Sequence, residues 1–258
     1  MFNIASVNVQ NKYKIKKYDG TYNGEDYVKM LDNLIKKYDL DIVGLQEVNV
    51  RYYERLNETS SYNMYGKFRF PNFFLTRVIY PFSVINESVP IISRFDFNSC
   101  STKTLPWIKS YVPRIVTMVD VELEGIGIVT VLNTHIDYMK NKTKIKQINK
   151  ILDIIKNINN PIILMGDFNM TLKNDSFNEF IKELGELNIY RVDICENTFK
   201  NHRDNYSIDH IFLSNCFVVK DIILEKDEFY ENFSDHYPVI IKIDIIDKWG
   251  IYEDWIWC

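Results

Sequence analysis

The sequence predicts an α/β fold of two packed β-sheets flanked by helices, folded as one domain, and three observations carry that expectation. The chain has 258 residues, 46% hydrophobic and 26% charged, the balance of a soluble globular domain whose length suffices for one large core. Short apolar runs, about ten in all, read as strands along it. Few helical patterns separate those runs, so the alternating strand–helix rhythm of a doubly wound parallel sheet is missing. No internal repeat and no Pro/Gly/Ser-rich linker divides the chain.

The elements follow in order. Phe2 to Val9 reads as a strand, Tyr27, Met30, Leu31, Leu34 and Ile35 recur at helical spacing, and Asp41 to Leu45 is a buried strand. Pro90 to Arg94, Arg114 to Leu123 and Ile126 to Thr134 read as strands, the last two hinged at Glu124-Gly125. Ile145, Ile148, Ile151, Leu152, Ile155 and Ile158 mark a long helix, after which Pro161 opens the strand Ile162 to Met165. Phe177, Phe180, Ile181 and Leu184 mark a shorter helix, and Ile208 to Leu213, Phe217 to Leu224 and Tyr237 to Ile245 are closing strands. Residues 1–247 are expected to form the domain, with 248–258 an aromatic C-terminal tail that docks on it or on a partner.

Composition excludes several classes. The four cysteines, Cys100, Cys195, Cys216 and Cys258, never approach CxxC spacing, so zinc knuckles, dithiol redox chemistry and a disulfide framework are not indicated. A net charge of −4 offers no general basic field for nucleic acid. It leaves room for a metal-dependent nuclease, whose cations supply positive charge locally. The start of the chain lacks the layout of a secretory signal, and no apolar run reaches membrane-spanning length, so a cytoplasmic location is the expectation.

Polar residues that bind metal or move protons cluster where apolar strands stop. Asn8 follows Ile4-Ala5-Ser6-Val7, Glu47 follows Ile42 to Gln46, and His135 ends Val129 to Thr134. Asp167 and Asn169 follow Ile162 to Gly166, Asp209-His210 open a strand, and Asp235-His236 precede Tyr237-Pro238-Val239. Each alone has an ordinary reading as a turn, a cap, a solvated strand end or a hydrogen-bonded core histidine. Together they are costly at the ends of buried strands unless paired or metal-bound.

Seven motifs in order, Ser6-Val7-Asn8-Val9, Leu45-Gln46-Glu47-Val48, Ile91-Ile92-Ser93-Arg94-Phe95, Asn133-Thr134-His135-Ile136-Asp137, Gly166-Asp167-Phe168-Asn169, Ser207-Ile208-Asp209-His210-Ile211-Phe212 and Ser234-Asp235-His236-Tyr237-Pro238-Val239, resemble the endonuclease/exonuclease/phosphatase superfamily. The resemblance runs from about residue 2 to residue 245. It implies a four-layer α/β/β/α sandwich of two mainly antiparallel sheets, with the site at one edge of both. It also implies a phosphate-ester hydrolase using Mg2+, with Mn2+ as a substitute.

Carried over by position, the resemblance makes Glu47 the main magnesium ligand, with Asn8 and Asp235 completing or supporting the metal environment. Asp167 and Asn169 would orient the attacking water and contact the scissile phosphate, Asp209 would hold His236, and His135 would donate to a phosphate oxygen. These residue types suit the chemistry: hard cations prefer carboxylate and amide oxygens, cations offset charge developing on phosphate, and a His–Asp pair fixes an imidazole tautomer. The sequence leaves open whether Asp167 or His236 takes the proton from water, and whether one metal or two is bound. Val7 stands where relatives carry Trp or Tyr, His210 reads as structural, and Arg114 after Pro113 is either a phosphate contact or a salt-bridged strand start.

The Asn133-Thr134-His135 motif places the chain in the branch of deoxyribonucleases, sphingomyelinases, deadenylases and several phosphatases. Substrate lies in the loops. The segment Phe68 to Phe74 reads either as a base-stacking platform or as a hydrophobic hairpin packed on the core. A phosphodiesterase acting on DNA, RNA or a nucleotide is the leading expectation; a lipid or inositol phosphate hydrolase and a non-catalytic binding protein are the alternatives.

Overall fold

Alternation along buried strands sends successive side chains to opposite faces, and here that rule sorts the apolar residues into three layers. The computed structural model describes residues 1–11, 24–70, 86–107, 110–200, 206–227, 230 and 233–246. In chain order the elements are β1 (Phe2–Asn8), α1 (Gly24–Tyr38), β2 (Ile42–Gln46), β3 (Val48–Asn49), α2 (Val50–Thr59), β4 (Asn63–Tyr65), β5 (Glu87–Ser88), β6 (Ile91–Ser93) and β7 (Phe97–Thr104). There follow β8 (Ile115–Leu123), β9 (Gly127–His135), α3 (Asn141–Ile155), β10 (Ile162–Asp167), α4 (Asp175–Glu186), β11 (Ile189–Arg191), β12 (Asp209–Ser214), β13 (Phe217–Leu224) and β14 (Val239–Ile245). The expected tail, 248–258, and the end of the aromatic segment from residue 71 lie outside the described residues.

One six-stranded sheet runs β13-β14-β1-β2-β6-β4 and the other β11-β12-β10-β9-β8-β7, with a small β3-β5 pair beside them. Ile4, Ile42 and Ile91 of the first sheet meet Val119, Val131, Ile163 and Met165 of the second in one shared core. The alternate residues Ala5, Val7, Val43 and Leu45 face outward to α1 and α2, packing with Met30, Leu31, Leu34 and Leu56. On the opposite side Ile162 and Leu164 pack beneath α3 and α4, with Ile148, Ile151, Phe177 and Phe180. The result is the expected four-layer α/β/β/α sandwich.

Strand direction then decides where the polar strand ends gather. β1 runs parallel to β2, with Asn8 opposite Gln46, and β9 runs parallel to β10, with His135 opposite Asp167. β14 is antiparallel to β1 and β12 is antiparallel to β10, with Asp209 opposite Asp167. The C-terminal ends of β1, β2, β9 and β10 therefore share an edge with the N-terminal ends of β12 and β14. All six polar strand ends meet there.

Two features pin the sheets together just below that edge. The Asn133 side chain donates to Leu45 O (2.8 Å) and Pro90 O (3.0 Å) of the facing sheet and accepts from Gln46 Nε2 at 2.7 Å. Gly44 permits the approach, since a Cβ there would lie 2.6 Å from Met165 Sδ and 2.9 Å from Asn133 Cγ.

Candidate active site

Asp167 is the hub of the strand-end cluster. It ends β10 after Gly166, whose φ of +147° and lack of a Cβ (one would sit 2.1 Å from Thr134 O) let the strand turn there. Asp167 Oδ1 accepts the Asn169 N–H at 2.8 Å. Its Oδ2 faces three nitrogens: Asn8 Nδ2 at 3.0 Å, His135 Nε2 at 3.5 Å and His236 Nε2 at 3.8 Å. All four of these residues are buried.

His236 is fixed from its other side. Nδ1 lies 2.8 Å from Asp209 Oδ2, which sets Nδ1 as the protonated nitrogen and leaves Nε2 toward Asp167. The expectation that Asp209 holds His236 matches this geometry. The strand assignment beside it needs correction: β14 begins at Val239, and His236 lies before it in an isolated antiparallel bridge to Phe199, buried against that ring rather than at an open strand mouth. Burial opposes the charge on His236, but Asp209, Asp167 and Asp235 together push its affinity for a proton well above the ordinary imidazole value. Burial lifts the Asp167 carboxyl as well; His236 counteracts this, while Asp209 and Glu47 add to it.

Glu47 and Asn169 sit in the left-handed region, with φ of +63° and +49°, uncommon for residues other than glycine and concentrated at functional sites. Glu47 Oε2 accepts the Asn11 N–H at 2.8 Å, and Oε1 has no partner among the described residues. Asn169 Nδ2 donates to Ile136 O at 3.0 Å, and its own carbonyl accepts from Lys144 Nζ at 2.8 Å. Asp235 is partly exposed, with Oδ1 3.9 Å from His236 Nε2. Asn8 Oδ1 accepts the Gln10 N–H at 3.0 Å.

Arg114 is buried in a narrow cleft that also includes Arg69, Ser88 and His135 among its lining residues, and its Nε has no partner among the described residues. Among the described residues no salt bridge joins it, though its charge helps hold the Asp137 carboxyl ionised. His210 is structural as expected. Its Nε2 donates to Met170 O at 2.9 Å inside a cage of Phe168, Phe177 and Phe212, and burial drives its pKa down from 6.5 to about 4.

Sequence reasoning missed a buried chain of partners behind Glu47. Asn11 Nδ2 donates to Glu87 Oε1 at 2.9 Å, Asn49 Nδ2 donates to Asn11 Oδ1 at 3.2 Å, and Glu87 is ion-paired with buried Arg69. Glu87 carried the same signal as the residues that were found, a charge two residues before the apolar run Val89 to Ile92. Arg69 belongs to the aromatic segment read either as a base-stacking platform or as a hairpin packed on the core. Its described part is packed, as the second of these has it: Phe68 lies 5.1 Å from the Tyr53 ring and Arg69 pairs with Glu87.

The residues present suit a hard divalent cation. Asp167, Asp209 and His236 offer ligand atoms within 4.8 Å of one another, and Glu47 brings an open carboxylate oxygen to the same negative cluster. Comparison with known proteins agrees with the geometry. The model of the endonuclease/exonuclease/phosphatase family matches residues 5–236. The chain belongs to that family. It is accordingly a hydrolase of phosphate esters. Similar solved structures include an endonuclease/exonuclease/phosphatase from Bacteroides vulgatus, 22% identical with a TM-score of 0.75 over 95% of this chain and 99% of that one. A mannosyl-6-phosphatase of Bacteroides thetaiotaomicron is 21% identical, TM-score 0.70, covering 95% of this chain and all of its own. D. rerio TDP2, solved with a single-strand DNA product, is 18% identical, TM-score 0.68, over 94% and 98%. At these identities the likeness shows the fold of this family member, not its substrate. No curated protein matches the chain. Among the described residues no helix is long and apolar enough to cross a membrane.

Proposed function

We propose that the protein is a Mg2+-dependent phosphodiesterase acting on nucleic acid or a nucleotide. The observation that carries the reading is the convergence of Asn8, His135 and His236 on one oxygen of Asp167, with His236 locked by Asp209. A phosphoryl-transfer site has little covalent work to do; it positions a water and offsets charge on the phosphate. Asp167 and His236 form the pair through which the proton of the attacking water leaves. His135 and Asn169 contact phosphate oxygens, and Arg114, with its unpartnered Nε beside His135, adds a fixed positive charge. Glu47, supported by Asn8 and Asp235, would hold the cation, because Asp209 Oδ2 is already committed to His236. The Mg2+ supplies neutralisation of phosphate charge.

The test is a panel of single-stranded DNA, duplex DNA, RNA, sphingomyelin and inositol phosphates, assayed with Mg2+ and with chelator. Turnover of a nucleic acid that disappears in chelator and returns with Mg2+ or Mn2+ is the expected result. Undiminished turnover in excess chelator, or turnover confined to the lipid or the inositol phosphates, overturns the reading. Glu47→Gln is expected to weaken Mg2+ binding in calorimetry.

A further inference from the structure

Two loops beside the site hold large rings out in water. Trp107 and Tyr111, on the loop between β7 and β8, are 48% and 77% exposed; Tyr138 and Met139, on the loop between β9 and α3, are 62% and 46% exposed. Each loop is continuous with the site, since Tyr111 precedes Arg114 by three residues and Tyr138 follows His135 by three. The described residues of both loops are tied to one another. The buried Asp137 carboxylate accepts the Ser110 hydroxyl from the first loop and the N–H groups of Met139 (2.8 Å) and Lys140 (3.1 Å) from the second. Gln147 of α3 ties both, accepting the Asp137 N–H at 2.8 Å and donating to Pro106 O at 2.9 Å.

Five lysines, Lys140, Lys142, Lys144, Lys146 and Lys150, follow with no acidic residue between Asp137 and Asp153. Lys140 Nζ stands 6.0 Å from the Tyr111 ring centre, and Lys144 reaches the carbonyl of Asn169 in the site itself. Flat rings on braced loops, edged by a basic strip that leads to the phosphate-handling residues, match a ligand with both flat faces and a chain of negative charge.

Resting on the phosphodiesterase reading of the site, we propose that Trp107, Tyr111 and Tyr138 form a stacking wall for unpaired bases of a single-stranded nucleic acid whose backbone follows Lys140 and its neighbours. Every base has a π-face, so such a wall binds without reading sequence. In a duplex those faces are occupied by neighbouring base pairs, and the wall has nothing to stack on. Because Asp137 and Gln147 already hold Pro106, Ser110, Met139 and Lys140 in place, little ordering cost opposes stacking there.

The experiment compares an oligothymidylate with a chain of equal length made of abasic sites, both fluorescently labelled, binding to the full-length His236→Ala protein in Mg2+. The base-bearing chain is expected to bind roughly 5- to 100-fold more tightly. Tyr111→Leu and Tyr138→Leu, introduced singly and together, should shrink that ratio, and Tyr→Phe at the same positions should restore it. Equal binding of the two chains overturns the wall, as does an unchanged ratio in a double Leu variant that melts normally. Loss of binding to phosphatidylglycerol vesicles in that variant, with its oligonucleotide ratio intact, overturns it in favour of a lipid surface. If the otherwise unmodified protein cleaves neither chain while the ratio depends on the tyrosines, the wall stands and the phosphodiesterase reading fails.

Discussion

Asp167 and His236 illustrate how a buried cluster is held by a few directed bonds. Asp209 spends an oxygen on His236 Nδ1 at 2.8 Å, so loss of either partner disables the same device. His236→Ala is expected to lower turnover by about 10²–10⁴-fold with little change in KM. Asp209→Asn in that background should add far less than it does alone. Additive losses in steady-state kinetics, with both variants folded by thermal melts, would show that the two residues act separately. His210 behaves oppositely. Its folded pKa of about 4 lies below the ordinary 6.5, so the unfolded chain binds the proton more tightly. The stability contributed by neutral His210 is complete above pH 6.5 and is lost as pH falls toward 4, by roughly 3 kcal/mol in all. Urea unfolding across that range should show the slope, and His210→Gln should flatten it relative to the parent; parallel curves would be the contrary result. Which residues belonged to the site was legible because each polar group interrupts an apolar run. The placement of His236 was not, because Pro238 has no N–H to donate to a ladder; Tyr237 N–H turns instead to Thr198 O at 2.8 Å, and β14 starts after the proline.

Strands buried on both faces announced themselves, whereas some elements with little buried surface did not. β10 is buried throughout and its apolar run was plain. β7 is an edge strand that pairs with β8 alone, and its sequence FNSCSTKT carries no apolar alternation to find. α2 buries only Val50, Tyr52 and Leu56, too few for a visible stripe, although Asn49 caps it by accepting the Tyr52 N–H at 3.0 Å. In α3 the isoleucine spacing carried the expected helix to Ile158, but the helix ends at Ile155 and Ile158 packs from the turn beyond it. The tightest local constraint is the end of β10. Gly166→Ala would place a methyl group against the main-chain oxygen of Thr134 at a φ that L-residues rarely adopt. Neighbouring backbone cannot swing aside as a side chain could, so a loss of several kcal/mol or a failure to accumulate folded protein is expected. A thermal melt within a degree or two of the parent would mean that the strand end relaxes freely.

Across the whole molecule the four layers were legible only through the ordered motifs, since periodicity reveals which face of a strand is buried but not which strand lies beside it. The parallel pairs β1–β2 and β9–β10, which bring the strand ends to one edge, follow from topology alone. That topology divides the labour: Asn8, Glu47 and His236 come from the first sheet or its loops, and His135, Asp167 and Asp209 from the second. Among the described residues no strand pairing joins the two sheets, so the strand-end cluster straddles a seam held by side chains, with Asn133 as its chief stitch. A slide of one ladder over the other by a fraction of a residue would leave both ladders hydrogen-bonded and pull Asn8 and His236 away from Asp167. Activity is therefore the most sensitive strain gauge the protein carries. In rising urea, turnover should fail before far-ultraviolet circular dichroism changes, and Asn133→Leu should widen the gap; coincident losses would mean that the seam does not slip until the ladders themselves come apart.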